Sequence, residues 1–216
     1  MKKTSFTLIE LLIVISILGV LISLIQPSMT KTLAVAESHQ CKSNQGLIHR
    51  STVLFTEDSG DKLPGPFWGG QIARFGRNNN TYNYRLNVFL MPYLEEKRDA
   101  DNYRYQETFF CPNVKQSDLT ANESLRINYF IAEWNKDLKD RPFGNPPYRD
   151  VPQRESMAMS EIPTPHLIQF MEDADYQNMY WAPLSVVNEF PNHESSYRNR
   201  IFFDGHIEKA DWFPSP

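Results

Sequence analysis

Residues 6–30 of the chain read FTLIELLIVISILGVLISLIQPSMT, and the rest of the sequence is interpreted from this apolar run. Its last twenty residues, 11–30, carry no formal charge and are dominated by Leu, Ile and Val. About twenty apolar residues in a helix, at a rise of 1.5 Å each, span a hydrocarbon layer of roughly 30 Å. The run therefore predicts a membrane-spanning helix.

The charges around the run predict its orientation. Lys2 and Lys3 precede it, and no cluster of Lys or Arg follows closely. This bias places the N-terminus in the cytoplasm and the remainder of the chain outside. A cleaved secretory signal is the competing interpretation, but it has a shorter apolar core, about 7–15 residues, closed by a small-x-small site. Because the run is longer and continues into a helical pattern, we favour a single-pass anchor that ordinary signal peptidase does not remove.

One charged residue, Glu10, lies inside the run. A carboxylate in an apolar span is costly unless it is paired or protonated, which makes it a candidate functional residue. If the chain were cut before Phe6, a cationic α-amino group would lie four residues before Glu10. The amino terminus of another subunit could then neutralise Glu10 in a packed assembly.

The segment KKTSFTLIELLIVISILGVL closely resembles the N-terminal segment of type IV prepilins and type II secretion pseudopilins. The resemblance implies cleavage between Ser5 and Phe6 by a prepilin peptidase, N-methylation of Phe6, and Glu10 as the fifth residue of the mature chain. Ser5 stands where the family has glycine. Gly19 and Pro27 occupy positions where these helices commonly carry glycine and proline, and the family helix tends to loosen between them during assembly.

The sequence divides into four parts. These are a leader at residues 1–5, a transmembrane or filament-core helix at 6–30, an amphipathic helix at 31–58 that continues into the head, and a globular head at 59–216. Pro27 is expected to kink or loosen the helix, because proline lacks a backbone donor. Gly60, Pro64 and Gly65 are expected to end it.

A helical wheel predicts which side of residues 31–58 packs against the head. The mostly apolar arc contains Leu33, Ala36, Cys41, Asn44, Leu47, Ile48, Ser51, Leu54 and Phe55. The opposite side contains Lys31, Ser38, Lys42, His49 and Glu57. We expect the first set to be buried and the second to face solvent.

The head is predicted to be a small antiparallel sheet with long loops, which makes the whole chain α+β. The expected strands lie within 107–112, 126–134, 166–171 and 200–212, a short helix lies within 84–97, and 136–156 is a surface loop. Asp204 and Gly205 separate two apolar stretches and predict a hairpin with a type I′ turn, which needs positive φ angles.

The sequence FFDGHIE at 202–208, with His193 upstream, resembles the C-terminal motif of large pilin-like families of environmental bacteria. In those families a histidine is followed after nine residues by Asp-Gly within a hairpin. Here ten residues separate His193 from Asp204, so the motif residues are His193, Asp204 and Gly205. The families often carry a cysteine late in the long helix and a central Cys-Pro, which Cys41 and Cys111 match.

Cys41 and Cys111 are the only cysteines. An oxidising compartment permits a disulfide between them, and such a bridge would pin the long helix to the head. It requires that their Cα atoms approach within about 7 Å, and the alternative is two separate buried thiols.

The remaining candidates for chemistry are acidic residues and histidines. Glu172, Asp173 and Asp175 follow a predicted strand and offer oxygen ligands for calcium. We favour a solvated turn, because a complete calcium-loop spacing is missing. His193, Asp204 and His206 lack an accompanying nucleophile, so we expect no catalytic site, no cofactor and no enzyme activity.

The formal net charge of −4 becomes two units more negative if the leader is lost, and it argues against nucleic acid as a partner. We predict a structural subunit of a type IV pilus or type II secretion pseudopilus-like filament. Its expected partners are a prepilin peptidase, other pilin or pseudopilin subunits, and inner-membrane lipid. The expected location is the bacterial inner membrane, with the head outside, and then a periplasmic or surface filament. The alternative is a membrane-anchored extracytoplasmic binding domain or enzyme that uses the helix only as a tether.

Overall fold

The structure is a computed structural model. It describes residues 7–72, 74–75, 84–98, 104–112, 127–131, 135, 138–147, 152–175, 177–179, 187, 193 and 196–211.

A single long helix, α1, runs from Leu8 to Asp58 and contains 51 residues, so it is roughly 77 Å long. It passes through Pro27 without ending there. Its last turn closes where the backbone N–H of Ser59 donates to the carbonyl of Phe55, and Gly60 follows with φ of +66°. The predicted stop between residues 58 and 65 is therefore confirmed.

The head contains a five-stranded and a three-stranded antiparallel sheet, in the orders β1-β5-β6-β7-β8 and β2-β4-β3. The strands are β1 (Gly70–Ile72), β2 (Arg74–Phe75), β3 (Lys97–Arg98), β4 (Arg104–Tyr105), β5 (Ile127–Phe130), β6 (Gln169–Asp173), β7 (Tyr197–Phe202) and β8 (Ile207–Asp211). Within the described part of the head, the helical pieces are α2 (Leu86–Phe89) and 3₁₀ helices at Glu107–Phe109 and Met159–Glu161. The chain is thus α+β, as its sequence indicates.

Three of the four expected strand segments contain strands, namely β5, β6 and the β7–β8 pair. The expected strand at 107–112 is wrong, because Glu107–Phe109 forms a 3₁₀ turn with a hydrogen bond from Phe110 N–H to the Glu107 carbonyl. Phe109 is fully buried. A short apolar run does not distinguish a strand from a single helical turn, and packing decides between them.

The expected hairpin joins β7 to β8, but its turn is not type I′. Gly205 N–H donates to the Phe202 carbonyl and Phe202 N–H donates to the His206 carbonyl, so the loop contains three residues. Gly205 has φ of +87°, whereas Asp204 does not have a positive φ. A type I′ turn requires positive φ at both central residues, and a three-residue loop requires it only at the last.

The helix packs on the sheet through a mixed apolar and polar strip. Cys41 and Ile48 join a core that includes Tyr129 of β5, Met171 of β6 and Ile201 of β7. The helical wheel is wrong at six positions: Leu33, Ala36, Leu47 and Leu54 are exposed, whereas Ser38 and His49 are buried. The polar residues are buried because the head supplies hydrogen-bond partners for them, which a hydrophobicity pattern does not register.

The segment expected to be a surface loop at 136–156 is irregular but partly buried. Phe143 lies 4.8 Å from Phe67 between ring centroids, and 5.5 and 5.6 Å from Phe170 and Phe203. Asn145 and Arg154 form an antiparallel bridge. The described part of this segment therefore belongs to the core, because its aromatic residue fills space between other aromatic side chains.

Candidate functional site

The N-terminal end of α1 is a capping box. The Thr7 hydroxyl oxygen accepts a hydrogen bond from Glu10 N–H at 3.3 Å, and Glu10 Oε2 accepts from Thr7 N–H at 2.8 Å and from the Thr7 hydroxyl at 2.7 Å. The carboxylate therefore lies at the positive end of the helix dipole. Ser5 and Phe6, the predicted processing site, lie outside the described residues.

A continuous apolar surface follows the capping box. Residues Leu8–Ile25 form one helical stretch long and apolar enough to cross a membrane, and none of it is buried within the protein. The exposed large hydrophobic residues of this part of α1 are Leu8, Ile9, Leu11, Leu12, Ile13, Val14, Ile15, Ile17, Leu18, Val20, Leu21, Ile22, Leu24, Ile25, Met29, Leu33 and Val35. An exposed apolar surface of this extent marks contact with lipid or with other proteins.

The polar and small residues within this stretch suit an apolar environment. Ser16 donates its hydroxyl to the Leu12 carbonyl and Ser23 donates to the Val20 carbonyl, each at 2.7 Å. Each hydroxyl is thereby satisfied inside its own helix. A β-carbon at Gly19 would meet nothing within 4 Å, so this position leaves room for a neighbouring helix to approach. Pro27 lies within the helix.

A second candidate site is a buried cluster of Cys41, Cys111, Asp173 and His193, which we call the cysteine cluster. Cys41 comes from α1, Cys111 follows the first 3₁₀ helix, Asp173 ends β6, and His193 precedes β7. None of the four is more than 2% exposed. Their potential ligand atoms all lie within 4.8 Å of one another. The cluster therefore joins the long helix to three separate segments of the head.

The closest approach in the cysteine cluster is between the two sulfurs. Cys41 Sγ lies 2.7 Å from Cys111 Sγ and 3.3 Å from Asp173 Oδ1. His193 Nε2 lies 2.9 Å from Asp173 Oδ2 and 3.9 Å from Cys111 Sγ. Both cysteines are free thiols that lie side by side, and a disulfide between them stays a prediction.

The buried environment shifts the pKa values of Cys41, Cys111 and His193 in different directions. Burial, reinforced by the hydrogen bond with Cys111, raises the pKa of Cys41 well above its usual value. Burial also acts to raise the pKa of Cys111, but hydrogen bonds with Cys41 and His193 outweigh it and lower that pKa. Burial lowers the pKa of His193, yet the hydrogen bonds with Asp173 and Cys111 prevail and raise it to about 10. Without another cation, the imidazole is therefore protonated at neutral pH.

Two buried amides surround the cluster, and the sequence did not single them out. Gln45 Nε2 donates to Asp173 Oδ1 at 2.9 Å, and Asn199 N–H donates to Asp173 Oδ2 at 2.7 Å. Gln45 lies one helical turn after Cys41 and so shares its face of α1. The position of Asn199 beside Asp173 follows from the pairing of β6 with β7, in which Glu172 lies opposite Arg200. The carboxylate of Asp173 is thereby held in one orientation.

Aromatic residues close the remaining sides of the cluster. The Tyr197 ring stacks on the His193 ring with 5.2 Å between centroids, and its hydroxyl lies 2.9 Å from the Ser38 hydroxyl of α1. The Tyr129 hydroxyl lies 3.6 Å from Cys41 Sγ and is itself fully buried. Solvent is thereby kept from the four central side chains.

The C-terminal motif contacts α1 at two positions along the helix, near Cys41 and at His49. His193 belongs to the cysteine cluster, whereas Gly205 at the hairpin tip lies against His49. Asp204 is exposed and accepts a hydrogen bond from His206 Nδ1–H at 2.5 Å. His193 is therefore buried with the cysteines, while Asp204 and His206 pair at the hairpin tip.

The acidic residues Glu172 and Asp173 belong to β6 and Asp175 follows it; all three are buried, so they are not a solvated turn. Glu172 pairs with Arg200 at 3.1 Å, and Asp175 Oδ1 accepts from Arg198 Nη2 at 2.7 Å. Asp173 belongs to the cysteine cluster. Their oxygens are thus already bound to different basic partners, which weakens the calcium hypothesis.

Residues 1–25 match a family model described as the prokaryotic N-terminal methylation motif. No curated protein and no solved structure shows a significant match to the chain. The motif supports a type IV pilin-like or pseudopilin-like prepilin, and with the apolar helix it fits a membrane-anchored protein. It points to a structural subunit rather than an enzyme.

Proposed function

We propose that the chain is a structural subunit of a type IV pilus or type II secretion pseudopilus-like filament. It is made as a prepilin in the inner membrane, cut between Ser5 and Phe6 by a prepilin peptidase, and N-methylated at Phe6. The observation that carries this proposal is the first part of α1, where a matched methylation motif continues into an exposed apolar surface with one carboxylate at its start.

The apolar surface explains how one helix serves two states. In the membrane it is solvated by lipid, and in a filament the same side chains pack against α1 of neighbouring subunits. Lipid tails are as apolar as leucine, so the hydrophobic effect alone does not drive this exchange. Close packing and a small number of polar contacts between helices must favour assembly instead.

Glu10 is the polar group that fits this role. Its capping box places the carboxylate in the first turn of α1, where the helix dipole favours negative charge. Cleavage before Phe6 creates a cationic amine at the same end of every subunit. A neighbouring subunit displaced along the filament axis brings its amine towards Glu10, in an apolar environment where an unpaired charge is strongly disfavoured. The pair thereby sets the stagger between subunits.

The head serves the filament as an outward-facing domain. Its contacts with α1 lie in the second half of the helix, at residues such as Ser38, Gln45 and His49. The first half is left free for lipid or for other subunits. This division of one helix between assembly and head packing is what a filament subunit needs.

The test compares Glu10→Leu with Glu57→Gln, a matched control that removes an exposed carboxylate near the other end of α1. Both variants should insert in the membrane and be cut before Phe6, as mass spectrometry of the N-terminus would show. We expect Glu10→Leu to reduce incorporation into filaments at least tenfold, and Glu57→Gln to leave it unchanged.

Two results would overturn the proposal. If Glu10→Leu were incorporated into filaments as well as the wild-type chain, Glu10 would not pair with the amino terminus of a neighbouring subunit. An intact Met1 on a monomeric membrane protein would instead support the alternative, a binding domain or enzyme that is tethered by the helix.

A further inference from the structure

We propose that the cysteine cluster is a structural zinc site, in which Cys41, Cys111, Asp173 and His193 bind one Zn²⁺ ion. The observation behind it is the convergence of two sulfurs, one imidazole nitrogen and one carboxylate within 4.8 Å in a fully buried position. The four residues come from four separate segments of the chain.

The chemistry of the ligand set selects zinc among common divalent ions. Zn²⁺ is held in proteins by thiolate, imidazole and carboxylate groups, usually four in a tetrahedron. Calcium and magnesium prefer sites made only of oxygen. Two thiolates and an imidazole are typical of zinc and of other thiophilic metals.

The distances are close to those of a tetrahedral site. Zinc–ligand bonds of about 2.0–2.3 Å imply separations of roughly 3.3–3.8 Å between neighbouring ligand atoms. The separation of Cys41 Sγ and Asp173 Oδ1 is 3.3 Å, that of His193 Nε2 and Asp173 Oδ2 is 2.9 Å, and that of Cys111 Sγ and His193 Nε2 is 3.9 Å. The two sulfurs, 2.7 Å apart, need to separate by about 1 Å, and the widest separations in the cluster, up to 4.8 Å, need to shorten by about as much.

The hydrogen bonding of His193 supports a cation at this position. Its Nε2 atom lies 2.9 Å from Asp173 Oδ2, which only accepts hydrogen bonds, and 2.6 Å from Asn199 Nδ2, which only donates. One ring nitrogen carries either a proton or a lone pair, so it cannot satisfy both neighbours. A zinc ion in place of the proton removes the competition between Nε2 and Asp173 Oδ2, because the imidazole nitrogen, the carboxylate and both sulfurs all offer lone pairs to it.

The surroundings of the cluster match those of a closed metal site. Metal ligands in proteins are generally oriented by a second layer of hydrogen bonds, and Asp173 receives two, from Gln45 Nε2 and from Asn199 N–H. These donors also offset the negative charge that two thiolates and a carboxylate leave on the centre. Because all four ligand residues are buried, the site is structural rather than catalytic.

The zinc ion would tie α1 to the head just beyond the apolar stretch. Val35 is the last exposed large hydrophobic residue before Cys41, which lies six positions later, about 9 Å along the helix. Binding releases the thiol and imidazole protons and adds its free energy to the folding of the head. It also occupies the thiolates, so zinc and the predicted disulfide exclude each other.

The experiment uses the full chain, purified in detergent under non-reducing conditions without chelators. We expect about one zinc per chain by elemental mass spectrometry, and two titratable thiols after denaturation in the presence of a chelator. Removing the metal and titrating with Co²⁺ should produce the visible absorption of tetrahedral, thiolate-bound cobalt. This second measurement uses the wild-type chain and does not depend on whether variants fold.

Two variants and one control locate the site. Cys41→Ser and His193→Gln should lower the zinc content more than tenfold, whereas His206→Gln, at the exposed hairpin tip, should leave it unchanged. Zinc-free protein with no titratable thiol would establish the disulfide and overturn the proposal, and zinc-free protein with two thiols would overturn it in favour of plain buried thiols. Equal zinc in all variants would show adventitious binding and overturn it as well.

Discussion

Gly205 at the β7–β8 hairpin tip lies directly against His49 of α1. A β-carbon added at Gly205 would be 3.0 Å from both Cε1 and Nδ1 of the His49 ring. The His49 Nε2–H group donates to the Phe203 carbonyl at 2.9 Å, in the same hairpin. The hairpin tip and the helix therefore form one continuous contact.

This contact predicts that Gly205→Ala destabilises the head by about 2–3 kcal/mol. Part of the cost is the positive φ of +87°, which is worth about 1 kcal/mol for a residue with a β-carbon, and the remainder comes from displacing His49. The free energy of unfolding, measured by chemical denaturation in detergent, is the readout.

Gly60→Ala is the matched control for the glycine prediction. Gly60 has a similar φ of +66°, but a β-carbon there meets nothing within 4 Å. We expect it to cost only about 1 kcal/mol. Equal losses for the two variants would show that the contact with His49 adds nothing.

His49 predicts a pH dependence of stability. Burial lowers the pKa of His49, although the hydrogen bond to the Phe203 carbonyl and the charge of Asp204 act to raise it, and Arg50 acts to lower it. The folded protein therefore resists protonation of His49 that the unfolded chain accepts near pH 6.5. The contribution of neutral His49 to the free energy of unfolding is fully present above about pH 6.5. It is lost as the pH falls through the lowered pKa of His49.

The measurement is the free energy of unfolding between about pH 5 and 7.5. His49→Gln keeps an amide donor for the Phe203 carbonyl and removes the titrating group, so the decline on acidification should become shallower. His39→Gln, on the exposed side of the same helix, should retain the wild-type profile. Identical slopes for wild type and His49→Gln would contradict the assignment.

The ion pair between Arg198 of β7 and Asp175, two residues after β6, is predicted to be essential for the stability of the head. Arg198 Nη2 donates to Asp175 Oδ1 at 2.7 Å and Arg198 Nε–H donates to Asp175 Oδ2, with both residues buried. Arg198→Met would leave the carboxylate buried without its cation. We expect a loss of about 3–5 kcal/mol in the free energy of unfolding.

An exposed pair in the same head provides the comparison. Lys62 and Glu155 approach to 2.7 Å, but both side chains are largely exposed. Lys62→Met should cost less than about 1 kcal/mol, because solvent screens an exposed pair. If both variants lost the same stability, burial would not be the deciding factor.

Local signals in the sequence are sufficient to predict the long helix. The helix starts after the two lysines of the leader, and Gly60 provides the positive φ that follows the last turn. The apolar stretch between them has the length and composition of a membrane span. These features depend on residues within a few positions of one another, so the sequence predicts them without knowledge of the rest of the fold.

The sites in the head depend on contacts between distant residues. The helical wheel predicts that His49 and Ser38 face away from the head, yet they are buried because Phe203 and Tyr197 supply their hydrogen-bond partners. Phe143 lies in the segment that the sequence predicts to be a surface loop, yet it fills a space between aromatic residues from three other segments. A hydrophobicity pattern does not contain these partners.

The sequence alone determined that the chain begins with an apolar helix carrying a prepilin-type motif, because hydropathy, leader charge and Glu10 are all local properties. Only the tertiary structure decided that Cys41, Cys111, Asp173 and His193 meet in one buried cluster. Cys41 and His193 are 152 positions apart, and the antiparallel pairing of β6 with β7 brings Asp173 and His193 to the same place on α1. Such convergence is set by the packing of the sheet on the helix, which no single stretch of sequence encodes.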